Sequence, residues 1–229
     1  MNLILFDDSA WENLLPLTFA RPVCDLRTGI FTIAEKWEKS LGTHSSCITQ
    51  LHLASKYPLT LAGDNLLING SLLPDEQLVA RIRAMPAGSA LKKEGILLAV
   101  RAGRSEATAF DPESWLDRAL NYGGTVSHID HLWKLFTLNG QEIRADFERI
   151  TRNRESEPLS ATVQVTGSGS IFAEPGFRGA DITLNPSGGP IYLGKESEIM
   201  EGSAIRGPFA LCEGSTVKMG AKIYGPTTI

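Results

Sequence analysis

Histidine and cysteine are scarce in this chain, and positive charge does not prevail. Among 229 residues there are three cysteines, Cys24, Cys47 and Cys212, far apart and without a metal-ligand spacing. They read as thiols of a reducing compartment rather than a disulfide framework. No apolar run approaches the roughly 18 residues of a membrane span, so no membrane partner is expected. Twenty-two Lys and Arg stand against 26 Asp and Glu, a net charge of -4, which gives no general attraction for nucleic acid. Met1 leads directly into the apolar run Leu3–Phe6 and then Asp7 and Asp8. No basic segment precedes a long apolar one, so no secretory signal is expected, and the cytoplasm is the expected compartment.

What is present is a globular composition, 42% hydrophobic and 21% charged, at a length that buries a sizeable core as one large domain or two small ones. Its two ends differ. All four tryptophans lie at or before Trp133, whereas 12 of the 22 glycines fall in the last 71 residues. The polar stretch Arg149–Pro158 lies between, which places a boundary near Pro158 and divides the chain into 1–158 and 159–229.

In the first part Leu3–Phe6 reads as a buried strand, and Ile30, Ile33, Ala34, Trp37 and Leu41 recur as the apolar face of a helix. Leu66–Asn69 is a second strand and Pro74–Met85 a second helix. Leu91–Val100, broken by Lys93, Glu94 and Gly95, has the pattern of a hairpin. Pro112–Leu120 and Asn139–Arg152 complete the helices, the latter with Ile143, Phe147 and Ile150 inward. The expected fold class is α/β, a mixed sheet with flanking helices.

The second part repeats. Leu193, Ile199, Ile205, Leu211, Val217, Ile223 and Ile229 stand at a strict interval of six. Chance would produce this in a given phase on the order of 10^-4 of the time, and no α-helix has that period. Small residues precede most of them by two, at Ser197, Ser203, Ser215, Ala221 and Thr227, and glycines stand at the bends. Three hexads per coil predict a left-handed parallel β-helix with aliphatic side chains on the axis. Val165, Ile171 and Phe177 slip out of phase, which predicts an irregular first coil. An uncapped last coil would leave unpaired backbone groups, so a fragment of a longer protein, or self-association, is expected.

The segment from Leu14 to Glu38 contains Pro16, Leu17, Thr18, Arg21 and Pro22, and it resembles the signature of sugar-1-phosphate nucleotidylyltransferases. With the hexad solenoid, and with the phrases FDDSAWENLLPLTFARPV, LLINGSLLPD and EIMEGSAIRGPFAL, nearly the whole chain resembles the variant bifunctional family. That family joins a UDP-N-acetylglucosamine-forming, reduced Rossmann-like nucleotidyltransferase domain to an acetyltransferase β-helix. The resemblance implies an NTP and a hexose 1-phosphate as partners, Mg²⁺ as cofactor and trimers where the β-helix is complete. It also shows departures. The stretch Asp8–Leu15 has no glycine, Asn13 stands for the usual arginine, Val23 for a lysine, and Ser71 for the metal-binding aspartate after Asn69 and Gly70.

On that resemblance Arg21 and Arg27 are the candidate phosphate-binding catalytic groups, acting from a loop before a helix start at Gly29 whose free N–H groups favour anions. The bland alternative is a surface ion pair with Asp25 or Glu35. Asn13, Thr18, Asn69 and Gly70 are candidate substrate contacts. Asp7, Asp8 and Asp75 are candidate metal ligands, with turn or cap roles the alternative for Asp7 and Asp8. His128 and His131 flank Asp130, but on a strand they would point to opposite faces with no third ligand at a known spacing. Acetyl transfer needs a general base, and no histidine follows His131, so that activity is not expected here. The expected function is sugar-nucleotide formation. Its alternatives are thymidylyl transfer to glucose 1-phosphate, a binding domain attached to an acyltransferase, and a structural trimerisation module.

Overall fold

The computed structural model describes residues 1–229, which form two compact units. The first comprises Met1–Leu26 and Thr32–Leu132, the second Arg27–Phe31 and Trp133–Ile229. Pro158 lies inside the second unit. Ile143 and Phe147, from the helix before it, share a core with Phe172, Tyr192 and Ala210 of the later strands.

The strands of the first unit are β1 (Asn2–Phe6), β2 (Ser45–Ile48), β3 (Asp64–Asn69), β4 (Leu72–Leu73), β5 (Ser89–Lys93), β6 (Ile96–Gly103), β7 (Leu120–Asn121) and β8 (Ser127–His128). Six of them form one sheet in the order β2-β1-β3-β6-β5-β7, and β4 pairs with β8. β1 runs parallel to β2 and β3, whereas β6 is antiparallel to β3 and β5, which makes the sheet mixed as expected. Leu3, Ile4, Leu5 and Phe6 are all buried, as a strand covered on both faces requires. β5 and β6 join through Glu94 and Gly95, both at positive φ (50° and 81°), the two-residue turn whose twist suits a hairpin.

Helices α1 (Ala10–Asn13), α2 (Ile33–Leu41), α3 (Glu76–Arg83), α4 (Arg104–Thr108) and α5 (Pro112–Leu116) complete this unit. α2 starts three residues later than the periodicity of Ile30 suggests. The cause is a reciprocal cap: Thr32 Oγ1 accepts from the Glu35 N–H and the Glu35 carboxylate from the Thr32 N–H, which sets the first turn at Ile33. Its apolar face buries Ile33 and Trp37 completely, and the Trp37 Nε1–H donates to the Leu72 carbonyl at 2.8 Å. Removing a side chain of that size from a core costs about 3–5 kcal/mol.

The second unit holds α6 (Leu132–Thr137), whose first residue belongs to the other unit, α7 (Asn139–Thr151) and three parallel sheets. The first sheet stacks β10 (Ile171–Ala173), β13 (Ile191–Leu193), β16 (Phe209–Leu211) and β19 (Thr227–Thr228). The second stacks β11 (Arg178–Gly179), β14 (Glu198–Ile199) and β17 (Thr216–Val217). The third stacks β9 (Gln164–Val165), β12 (Thr183–Asn185), β15 (Ala204–Arg206) and β18 (Lys222–Tyr224).

Leu193 pairs with Leu211, Ile199 with Val217 and Ile205 with Ile223, each three hexads apart and each in a different sheet. Three parallel sheets in this register are consistent with a β-helix. The hexad side chains from Leu193 to Val217 are buried in one cluster, while Ile223 is half-buried and Ile229 is 41% exposed. Buried Ser197 and Ser203 fit the small positions because each hydroxyl finds a carbonyl, of Gly194 (2.6 Å) and Lys218 (3.1 Å). The first coil departs from the hexad count, as expected. Ile171 pairs with Ile191 and Leu184 with Ile205, so Val165, Ile171 and Phe177 fall out of phase with the coils from Leu193 onward.

Candidate functional site

The chain leaves β1 for β2 on one side and returns to β3 on the other. Strand order therefore reverses between β1 and β3, where an open α/β sheet offers a crevice beyond the carboxyl ends of its strands. Asp7 and Asp8 follow β1, and Asn69 ends β3, so Asp8 and Asn69, two of the sequence-predicted residues, meet here.

Asn69 is fully buried and uses both ends of its amide. Its Nδ2 donates to Asp8 Oδ2 at 2.6 Å and to the Leu97 carbonyl at 3.1 Å, while its Oδ1 accepts from the Ser71 N–H and hydroxyl. It thereby positions Asp8. Gly70 donates its N–H to the Phe6 carbonyl at 2.7 Å, and a Cβ there would meet that oxygen at 3.2 Å and the Cys24 Cβ at 3.3 Å. A glycine allows this turn to lie against both β1 and the signature segment.

A cleft of about 410 Å³ opens beside Asp8 and Asn69 and is walled by Leu97, Asp111, Pro112 and Glu113. Three carboxylates line it and no Lys or Arg does. Asp111 is already the cap of α5, its carboxylate accepting the Glu113 and Ser114 N–H groups. Asp8 also accepts the Ala10 N–H at 2.9 Å, the turn role that was its alternative.

Asp7 has a different task. Its Oδ1 accepts the Val23 N–H at 2.9 Å and its Oδ2 the Thr49 hydroxyl at 2.6 Å, so it ties the signature segment to the end of β2. Burial, opposed by these bonds and reinforced by the charge of Asp8, raises its pKa from 3.8 to about 6. Asp75 is the N-cap of α3, accepting the Leu78 N–H at 2.8 Å. The three aspartates do not gather, and no group of three His, Cys, Asp or Glu side chains is arranged to hold a metal ion.

Within the signature, Thr18 is buried and its hydroxyl donates to the Trp11 carbonyl at 2.7 Å, while the Trp11 indole donates back to the Thr18 carbonyl. Thr18 closes the loop and does not line the cleft. Asn13 and Arg21 are exposed. Asp25, the alternative ion-pair partner of Arg21, instead accepts the Tyr57 hydroxyl at 2.9 Å. Burial and that carboxylate push the Tyr57 phenol up to about 12.

The expectation of free N–H groups near Gly29 is corrected by the second unit. The Gly29 N–H donates to Asn139 Oδ1 at 2.7 Å, and those of Ile30 and Phe31 donate to Asp146 Oδ2 at 2.9 and 3.2 Å. The anion held there is the chain's own Asp146, fully buried and bonded to Arg149 at 3.2 Å. Gly29 has φ +78°, and a Cβ would stand 2.6 Å from that carboxylate. The Arg27 guanidinium turns back onto the Ile30 carbonyl. Neither Asn139 nor Asp146 stands out in the sequence, because nothing local marks a carboxylate as the partner of a loop 115 residues away.

The histidine pair also differs from expectation. β8 ends at His128, so the opposite-face rule for a strand does not reach His131. Both rings lie 3.1 Å from the Asp130 carboxylate, one on each oxygen. A further cavity of about 510 Å³ in the second unit is bordered by Arg144 and the small residues around Ser170 and Gly188. There the Arg144 guanidinium is bonded to the Gly140 and Gly188 carbonyls.

An open α/β sheet with a polar cleft at its reversal point is the architecture of a small-molecule-binding α/β protein. A family model described as sugar nucleotidyl transferase matches residues 3–155, and the chain belongs to that family. The match takes in the whole crevice and ends before the parallel strands of the second unit. Among curated proteins no sequence matches the chain. No helix is long and apolar enough to cross a membrane.

Proposed function

We propose that the protein forms a nucleotide sugar from an NTP and a hexose 1-phosphate in the crevice beyond β1 and β3. A phosphate oxygen of the sugar phosphate attacks the α-phosphorus, the bond to the β-phosphate breaks, and pyrophosphate leaves. The observation that carries this reading is the coincidence of the family match with a cleft at the sheet's reversal point, bordered by Asp8 and Asn69. UDP-N-acetylglucosamine is the product proposed, from the phrasing of the signature and the adjoining solenoid. The same reading proposes trimers through the solenoid and a cytoplasmic site of action.

Asp8 faces the cleft, Asn69 holds it there, and Gly70 lets the turn approach. Arg21, exposed and without an ion pair, is the proposed phosphate-binding cation, and Asn13 a contact at the rim. Mg²⁺ fits the donor set in a limited way. It commonly takes one or two carboxylates and completes its octahedron with water and substrate phosphates, so Asp8 would hold it while Asp7 and Asp75 serve the fold. When bound it would neutralise phosphate charge in a cleft that carries no cationic side chain of its own.

A second reading is binding of a sugar nucleotide without turnover. It is favoured by the glycine-free stretch before Pro16 and the carboxylate-lined cleft, which lack the bare N–H groups and guanidinium that a triphosphate needs. Pyrophosphate release across the four NTPs and dTTP with several sugar 1-phosphates, run beside calorimetric titration of the same ligands, separates the two. Release that falls at least tenfold in Arg21→Ala supports the first. Binding without release supports the second, and the absence of both would overturn either reading of the crevice.

A further inference from the structure

Cys24 and Cys47 are both free thiols, and their sulfurs are 3.3 Å apart. Twenty-three positions separate them in sequence. The fold brings them together because Cys47 lies on β2 opposite Leu5, while Asp7 draws Val23, the neighbour of Cys24, against the end of β1. Cys24 is 1% exposed, whereas Cys47 is half-buried. We propose that this pair is a reversible oxidation site, converted by a low-molecular-weight disulfide into a Cys24–Cys47 disulfide that staples the signature segment to β2.

The chemistry closes with that oxidant alone. The Cys47 sulfur, having released its proton to solvent, attacks one sulfur of the oxidant, whose S–S bond breaks and expels one thiolate. Cys24 then gives up its proton and its sulfur attacks Cys47 in the mixed disulfide, expelling the second thiolate. One protein S–S bond has formed, two protein thiols have been oxidised, and the oxidant has been reduced to two thiols. The sulfurs need to approach by about 1.2 Å to reach bonding distance.

The order of events is set by exposure. Of the two, Cys24 is buried and Cys47 half-buried, and their sulfurs lie 3.3 Å apart. The hydrogen bond to Cys47, burial and the carboxylates of Asp7 and Asp25 hold the Cys24 thiol well above its ordinary range, which keeps it from reacting first. Cys212 belongs to the other unit, where its thiol faces the Ile30 carbonyl at 3.8 Å.

The location gives the staple its consequence. The Cys24 Cβ is 3.3 Å from where a Gly70 Cβ would stand, so the link forms one layer behind the Asn69–Gly70 turn of the crevice. The inference goes beyond the nucleotidyl-transfer reading and does not depend on it, since its readout is chemical.

The test is incubation of the folded full chain with glutathione disulfide, then acid trapping, thiol titration, intact mass and peptide mapping. The expected result is a fall from three thiols to one, a mass lower by two hydrogens, a cross-linked peptide pair containing Cys24 and Cys47, and full reversal by a dithiol reductant. Cys212→Ser should leave this cross-link unchanged, and Cys24→Ser should stop at a glutathione adduct on Cys47. Three thiols persisting in the folded chain, a stable adduct on the unmutated protein without a cross-link, or a cross-link to Cys212 would each overturn the proposal.

Discussion

Asp7→Asn offers a test in which removing a charge from the signature region strengthens the fold. The folded chain holds the Asp7 proton up to about pH 6, whereas the unfolded chain releases it near 3.8. Between these values folding takes up a proton. The stability that this proton brings is therefore complete below about pH 4, declines as pH rises through 6, and is absent above. The difference corresponds to about 3 kcal/mol. Asparagine carries no charge at any of these pH values and keeps one oxygen for the Val23 N–H. Its amide must donate to Thr49 instead of accepting from it, a rearrangement costing about 1 kcal/mol. At pH 8 the variant is expected to be about 1–2 kcal/mol more stable than the parent, and at pH 4 slightly less stable. Urea unfolding monitored by tryptophan fluorescence reads this directly, since Trp11, Trp37 and Trp115 all lie in the first unit. Measurements without divalent cations at pH 4, 6 and 8 should show a falling curve for the parent and a flatter one for the variant. Equal pH dependence in the two proteins, or a variant less stable at pH 8, would refute the burial argument.

Asp146→Asn weakens the two bonds that organise Ile30 and Phe31, from charge-assisted to neutral, by about 1 kcal/mol each. Amide exchange at those two positions should speed up about thirty-fold, and unchanged exchange would show that the carboxylate does not hold the loop. Gly29→Ala should disturb the same loop, because the new Cβ meets Asp146 and requires an unfavourable φ; wild-type exchange at Ile30 would contradict this. Leu211→Ala, on a fully buried axial position, should cost about 2–5 kcal/mol in denaturant unfolding of the second unit, whereas the same change at the exposed Ile229 should cost far less. Asp8→Asn should reduce nucleotidyl transfer at least tenfold if Asp8 carries the divalent cation, and unaltered turnover with unaltered Mg²⁺ dependence would remove it from that role.

Much of the architecture was legible in order along the chain. Leu3–Phe6 and Leu66–Asn69 announce strands because a run covered on both faces has no polar positions, and Glu94-Gly95 announces a hairpin because its turn needs two positive φ values. β2 was not legible. Ser45–Ile48 is half-buried throughout, so it carries neither a continuous apolar run nor an alternation. Of the residues proposed for chemistry, Asp8, Asn69 and Gly70 do meet at the crevice, while Thr18 and Asp75 are absorbed by a loop closure and a helix cap. Any of these side chains reads alike in sequence, because capping, bracing and ligand binding draw on the same polar types.

Periodicity by itself determined the stacking register of the parallel strands in the second unit. An aliphatic residue every six positions is a constraint that each coil satisfies locally, and the Leu193–Leu211 and Ile205–Ile223 pairings come from counting. Only the tertiary structure decided the contacts made across long separations. Asp146 occupies the N–H groups where a phosphate was expected, Asp7 is braced by Val23 and Thr49, and Cys24 faces Cys47. Each of these depends on where two distant segments are placed by hydrophobic packing, and a polar side chain has no partner until the fold brings one to it.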